Sequence, residues 1–238
     1  MATFSYDVNN GSLNTATLSQ NFNRYRGYKQ ILDILIKLKK VHLSEYTVLE
    51  PACGGGDKLR LLTEYGVKPE NCYGFDVSDA AIRRCRKLSP GMMNFQLADA
   101  FNTPYEDEFF DIIICSGLFG CYQNDEDGKK LTAELARLLK YTGVLLICDL
   151  NENYEKVYGH NPVLKAKNLR GYDSKSGQLE ALLGEHFQGV TISPLFSYDI
   201  YNLPDGSPLP VEQFSTLEAQ LDNGCIESTY SLWSFIKK

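Results

Sequence analysis

The sequence predicts an α/β chain built on a doubly wound, parallel sheet, and three observations carry that reading. Short apolar runs at 46–50, 72–76, 93–97, 109–115 and 144–148 alternate with amphipathic stretches of helical period. The run at 109–115, Phe-Phe-Asp-Ile-Ile-Ile-Cys, is almost wholly apolar, as a strand covered by helices on both sides requires. The first run ends in Glu50 and passes through Gly54-Gly55-Gly56 into a helix, the strand–glycine loop–helix order of a nucleotide site.

In chain order, residues 1–21 carry no clear period. Phe22-Asn23-Arg24-Tyr25-Arg26-Gly27-Tyr28 reads either as the polar start of a helix or as a lid over the glycine loop. Ile31, Leu32, Ile34, Leu35, Ile36 and Leu38 continue it as an amphipathic helix packed on the sheet. Strand 46–50 is followed by a helix over 58–65 and a turn at 66–70. Strand 72–76 ends in Asp76, and Ser78 or Asp79 can cap the helix over 80–88. Strand 93–97 precedes Asp99-Ala100-Phe101. After strand 109–115 comes a helix over 129–140, then a turn at Tyr141-Thr142-Gly143 into strand 144–148. Beyond it the pattern loosens: a helix over 179–187, strands over 190–196 and 228–236, and a short helix over 211–221.

A formal charge of −6 on 238 residues argues against a partner held mainly through phosphates. The basic run Arg83-Arg84-Cys85-Arg86-Lys87 has helical spacing and reads as a solvated face. Seven cysteines without a C-x-x-C pair point to a reducing, cytoplasmic compartment and to no metal site, with Cys72, Cys115 and Cys148 as small core residues. No apolar run reaches membrane-spanning length, and the first twenty residues have no apolar signal core.

Two ligands compete for the glycine loop. A dinucleotide fold wants G-x-G-x-x-G, but counting from Gly54 the third glycine position carries Leu59, which weakens a nicotinamide oxidoreductase. The chain instead resembles the class I S-adenosylmethionine-dependent methyltransferases. Glu50-Pro51-Ala52-Cys53-Gly54-Gly55-Gly56 resembles their first motif, with Ala52 for its first glycine. Tyr73-Gly74-Phe75-Asp76-Val77-Ser78 resembles the second, Asp99-Ala100 the pair that reads adenine, and 110–116 the fourth strand. Residues 138–145 resemble the turn into the fifth strand, and 230–236 the antiparallel last strand.

That resemblance implies a Rossmann-like, mostly parallel seven-stranded sheet with an antiparallel last strand and helices on both faces. It implies one domain: 1–45 a helical lid, 46–150 the cofactor-binding core, 151–178 and 197–226 insertions that shape the acceptor pocket. It implies S-adenosylmethionine as cofactor, S-adenosylhomocysteine as product, and contacts from Glu50, Ala52, Cys53, Gly54, Asp76, Val77, Asp99, Ala100, Phe101 and Ser116. The spacing agrees independently: Asp76 lies one helix and one strand beyond Gly56, so its carboxylate falls beside the loop, where ribose hydroxyls need acceptors. Glu50 either holds the cofactor's ammonium, directly or through water, or braces the loop.

The acceptor is expected to be a small metabolite, methylated on O or N, with a monomer or homodimer as the working unit. The N/D-P-P-Y/F motif of DNA amino methyltransferases is missing after strand 109–115, where Cys115-Ser116-Gly117-Leu118 stands. Asn102-Thr103-Pro104-Tyr105 precedes that strand and lacks the second proline. Many small-molecule relatives carry a histidine after this strand. Here 119–125 has none, leaving His160, Asp149 or Tyr122 as candidate bases, or a relative that binds without turnover. Tyr25, Tyr28, Phe119, Tyr122 and Tyr158 are the expected acceptor contacts.

Overall fold

The computed structural model describes residues 18–38, 40, 42–154, 169–173, 176–196, 211–213, 216, 219–220, 223 and 228–238. Its elements are α1 (Leu18–Lys37), β1 (Val48–Pro51), α2 (Asp57–Glu64), β2 (Cys72–Asp76), α3 (Asp79–Leu88), β3 (Asn94–Leu97), β4 (Phe110–Ser116), α4 (Asp125–Leu138), β5 (Leu139–Leu150), α5 (Gln178–Leu183), β6 (Phe187–Phe196) and β7 (Tyr230–Lys237). The seven strands form one sheet in the order β3-β2-β1-β4-β5-β7-β6. All pairs from β3 to β5 are parallel, and β7 runs antiparallel to both β5 and β6.

Alternation along each strand builds two cores. Val48, Ile112, Ile114, Val144 and Leu146 face α1, α2 and α3, where Ile34, Leu35, Leu59, Leu62 and Ile82 meet them. Leu49, Ile113, Leu145 and Ile147 face the other way, against Leu131 and Leu135 of α4 and Leu179 and Leu183 of α5. The strand order reverses between β1 and β4, so a crevice opens at their carboxyl ends, the place where open α/β sheets bind ligands.

Several boundaries differ from the expected ones. The Arg/Tyr cluster at 22–28 is no separate lead-in: it lies inside α1, which already begins at Leu18. Helix α4 starts at Asp125 rather than 129, because Asn124 caps it by accepting from Asp127 N at 2.8 Å, with three acids in the first turn. The turn expected at 141–143 is part of β5, which begins at Leu139 opposite Phe110 and resumes the ladder past an irregularity. Phe187, expected to end a helix, opens β6 opposite Lys237, since α5 stops after six residues at Gly184. Of the short helix over 211–221, the described part is a 3₁₀ turn, Val211–Gln213, with helical backbone at 216 and 219–220.

Candidate active site

The loop after β1 folds back on itself through three left-handed residues, Ala52 (φ 50), Gly54 (φ 52) and Gly56 (φ 73). A side chain at Gly56 would be strained by its φ, and its Cβ would lie 3.0 Å from Cys85 Sγ and 3.1 Å from the Phe95 ring. Ala52, standing where the family motif has glycine, adopts the same left-handed backbone with a Cβ attached. Cys53 N donates to Phe75 O at 2.9 Å, tying the loop to β2. Its thiol lies under the loop, 3.9 Å from Cys85 Sγ, so Cys53 offers a ligand only its main chain.

The expected dinucleotide alternative meets a packing fact here. Leu59, at the third glycine position, is fully buried. A Cβ on Gly74 of β2 would sit 3.0 Å from Leu59 Cδ1 and 3.0 Å from Cys53 Sγ. The close helix–strand approach that a dinucleotide fold obtains from glycine on the helix is obtained here from glycine on the strand.

Asp76 ends β2 and is nearly buried. Its Oδ2 accepts from Gly54 N at 2.9 Å and its Oδ1 from Ser78 N at 2.8 Å. Each carboxylate oxygen keeps a lone pair for a further donor. Val77 beside it is apolar and 64% exposed. Ser78, one of the two caps expected, accepts from Ala81 N at 3.3 Å. Asp99 Oδ1 accepts from Phe101 N at 2.9 Å in an Asx turn, and Ala100 is buried. The neighbouring loop at 103–105 is bound to α4, Thr103 Oγ1 donating to Glu134 at 2.6 Å and Arg137 to Tyr105 O at 2.8 Å.

Glu50, on the α1/α2 face, is buried. Lys58 Nζ, from the first turn of α2, lies 3.3 Å from its Oε1. Its Oε2 is buried and has no hydrogen-bond partner among the described residues. Burial pushes the carboxyl up to about 6, against the pull of Lys58. Burial pulls the Lys58 ammonium down, but the charges of Glu50 and Tyr28 outweigh it and leave it above the ordinary lysine value. Lys58 escaped the sequence reading, although a cation in a helix's first turn, where the macrodipole disfavours it, is a legible signal.

The segment expected to face the acceptor follows β4. Ser116 is half-buried, Gly117 N donates to Cys148 O at 2.9 Å, and Phe119–Cys121 form a 3₁₀ turn. Asp149, fully buried on the α4/α5 face, holds this turn by accepting from Gly120 N at 3.1 Å and from Leu150 N at 2.9 Å. A strap at 169–172 closes over it: Arg170 N donates to Gly120 O at 2.8 Å, Tyr172 N to Leu150 O at 2.9 Å, and Tyr172 Oη to Phe119 O at 3.2 Å.

Three expected roles are corrected by this geometry. Phe119, expected to touch the acceptor, is fully buried against Tyr172. Asp149, a candidate base, has no solvent access and spends both oxygens on main-chain N–H groups. Tyr122 packs against Phe101 with ring centroids 5.1 Å apart and the rings tilted by 48°, and burial with the nearby Asp99 charge pushes its phenol well above the ordinary value, so it is a donor rather than a base. Tyr25 is 51% exposed on α1, whereas Tyr28 is half-buried near Lys58. His160 and Tyr158 lie outside the described residues. Among the described residues, no group of three ligating side chains could hold a metal ion, and no helix is long and apolar enough to cross a membrane.

Comparison with known proteins follows these contours. Residues 49–147, from β1 to β5, match the family model described as a methyltransferase domain. Phthiotriol/phenolphthiotriol dimycocerosates methyltransferase of Mycobacterium tuberculosis is 31% identical over 147 residues, 61% of this chain and 52% of that protein. An eEF1A lysine and N-terminal methyltransferase of Xenopus laevis is 27% identical over 150 residues, 58% of this chain and 21% of that protein. The chain thus spans about half the length of the mycobacterial relatives it matches. Geranyl diphosphate C-methyltransferase from Streptomyces coelicolor A3(2), solved with Mg2+, geranyl diphosphate and S-adenosylhomocysteine, superposes with a TM-score of 0.59 at 13% identity, covering 85% of this chain and 77% of that one. Residues 49–147 thus match a methyltransferase domain, and the strand order around them is the Rossmann-like one of the S-adenosylhomocysteine-bound methyltransferase it superposes on.

Proposed function

We propose that the chain transfers the methyl group of S-adenosylmethionine to an O or N atom of a small, amphipathic metabolite by direct in-line displacement. One observation carries it: Asp76 and Glu50 flank a left-handed glycine loop, Asp76 with spare acceptor capacity and Glu50 with a buried oxygen lacking a partner. That donor set suits the group. Asp76 would receive the ribose hydroxyls, Asp99 the adenine amine, Val77 and Phe101 the adenine faces, and Glu50 the ammonium, with Ala52, Cys53, Gly54, Ala100 and Ser116 completing the wall. The bound cofactor supplies an electrophilic methyl on a sulfonium. The chain's own part is alignment, which can contribute on the order of 7–11 kcal/mol.

Tyr122 can hold the acceptor by donating a hydrogen bond, with Tyr25, Tyr28 and Tyr158 as further contacts. The proton of a hydroxyl acceptor would go to His160, whereas a neutral amine needs no base while the new bond forms. The phthiotriol-type acceptor named for the mycobacterial relative supports a small-molecule substrate, and the acidic charge balance disfavours a nucleic acid. We place the protein in the cytoplasm as a monomer or homodimer, which light scattering of the full chain would check.

The test is a thermal shift with S-adenosylhomocysteine, followed by detection of that product in a panel of hydroxylated lipids, amines, tRNA and protein acceptors. At about 100 times its dissociation constant the ligand should add roughly 2.7 kcal/mol of stability. Asp76→Ala should abolish that shift. Turnover on tRNA or protein alone would overturn the acceptor class, and a shift with NAD alone would overturn the cofactor.

A further inference from the structure

The Glu50–Lys58 pair is drawn in opposite polarity to an α-amino acid. An α-ammonium and its α-carboxylate stand two bonds apart; the protein offers a carboxylate and an ammonium 3.3 Å apart at the end of β1. Glu50 is 3% exposed and its Oε2 is buried without a partner among the described residues, whereas the Lys58 side chain, on a flexible stem, is 31% exposed. A buried acceptor lacking a donor is costly unless something supplies one. The group best able to move aside is the half-solvated lysine.

We propose that Lys58 is the specificity-determining residue for the amino-acid end of the cofactor, exchanging Glu50 for the ligand's α-carboxylate as the ligand's α-ammonium takes its place on Glu50. This rests on reading the site as one for S-adenosylmethionine. No bond is made or broken in the exchange: one internal ion pair becomes two ligand ion pairs, and net charge is conserved. A nucleoside lacking the amino-acid end offers Lys58 nothing and leaves the Glu50 subsite closed. The exchange therefore makes the site selective for the intact zwitterion over its truncated thioether.

Among the described residues, the ionisable groups around the pair are Tyr28 on α1, Cys53 in the loop, Asp57 and Arg60 on α2, Cys115 on β4 and Cys148 on β5. The carboxyl of Glu50 sits at about 6, inside the range of ordinary buffers, so it must be ionised for the exchange to run. Affinity for the intact ligand should fall as the pH drops through about 6, and affinity for the truncated one should not.

The experiment is titration calorimetry of the full chain with S-adenosylhomocysteine and with 5′-methylthioadenosine, the same thioether without the amino-acid end. Lys58→Met should weaken S-adenosylhomocysteine by roughly 10- to 100-fold, as expected for a lost charge-assisted contact. It should leave methylthioadenosine within about twofold, and Lys58→Arg should restore most of the loss. Since Lys58→Met strands a buried carboxylate, the double variant Glu50→Gln/Lys58→Met is measured beside it. It should fold like the parent and bind the two ligands about equally. Equal weakening of both ligands, or of neither, would overturn the exchange while leaving the cofactor site intact. Failure of the parent protein to bind either would instead overturn the reading of the site itself.

Discussion

Two buried carboxylates close neighbouring regions of the sheet, and they are provisioned in opposite ways. Glu50, on the face of α1 and α2, has a cation 3.3 Å away and one oxygen with no partner. Asp149, on the face of α4 and α5, has main-chain N–H groups for both oxygens and, among the described residues, no cation that lowers it. Both are pushed to about 6 by burial. The difference lies in what each leaves unfinished. Glu50 is an open acceptor beside the glycine loop; Asp149 is a completed knot that fixes the turn after β4. The contrast teaches that shifted titration alone does not mark a catalytic group, because an upward shift at least as large arises at a brace.

The strongest way to break the contrast is to crowd the knot. A Cβ on Gly120 would lie 2.6 Å from Asp149 Oδ1 and 2.9 Å from Arg170 O. Gly120→Ala should cost about 3 kcal/mol in urea denaturation and leave S-adenosylhomocysteine affinity within about twofold. A variant as stable as the parent would mean that Asp149 and the strap hold nothing.

A smaller effect sharpens it. Because the folded value of Asp149, about 6, lies above its ordinary 3.8, this group's contribution to stability is full below pH 3.8 and is lost as the pH rises through about 6. The parent should therefore gain, relative to Asp149→Asn, on the order of 2–3 kcal/mol between pH 7 and pH 4. Asp111 and Glu134, both held low by hydrogen-bonded cations once burial is offset, slope the other way, but they are common to both proteins and cancel. Parallel stability profiles would remove Asp149 from the account.

The smallest effect belongs to the cofactor side. Ala52 takes φ 50 with a Cβ attached. Ala52→Gly relieves that strain while loosening the unfolded chain, and should change stability by less than about 1 kcal/mol. A larger loss would show that the methyl group packs usefully against the core.

The cofactor half was legible because its signals are local. Strand ends, the glycine run, Asp76 and the Ser78 cap all fall within thirty residues, each with a backbone reason to be where it is. Lys58 was legible in principle, as a cation at the wrong end of a helix, and was passed over. The acceptor half was hidden because it is assembled across the chain. Nothing near Asp149 announces that it holds Gly120, 29 residues earlier, or that Tyr172 reaches Phe119 across 53. The boundary errors share a cause: β5 begins at Leu139 through pairing with Phe110, and β6 at Phe187 through pairing with Lys237, tertiary partners that no window of sequence contains.

The place of β7 between β5 and β6 sets the order in which the molecule can be assembled. β6 touches the sheet through β7 alone, yet β7 comes later in the chain. During synthesis, β1 to β5 can pair in turn, while β6 must wait with its edge bare until 230–237 emerge and slot in beside β5. Joining β6 to the sheet is thus an insertion of β7 between two strands rather than an addition at an edge, and it buries Trp233 and Phe235. Non-local closure of this kind is intrinsically slower than pairing strands that follow one another in the chain.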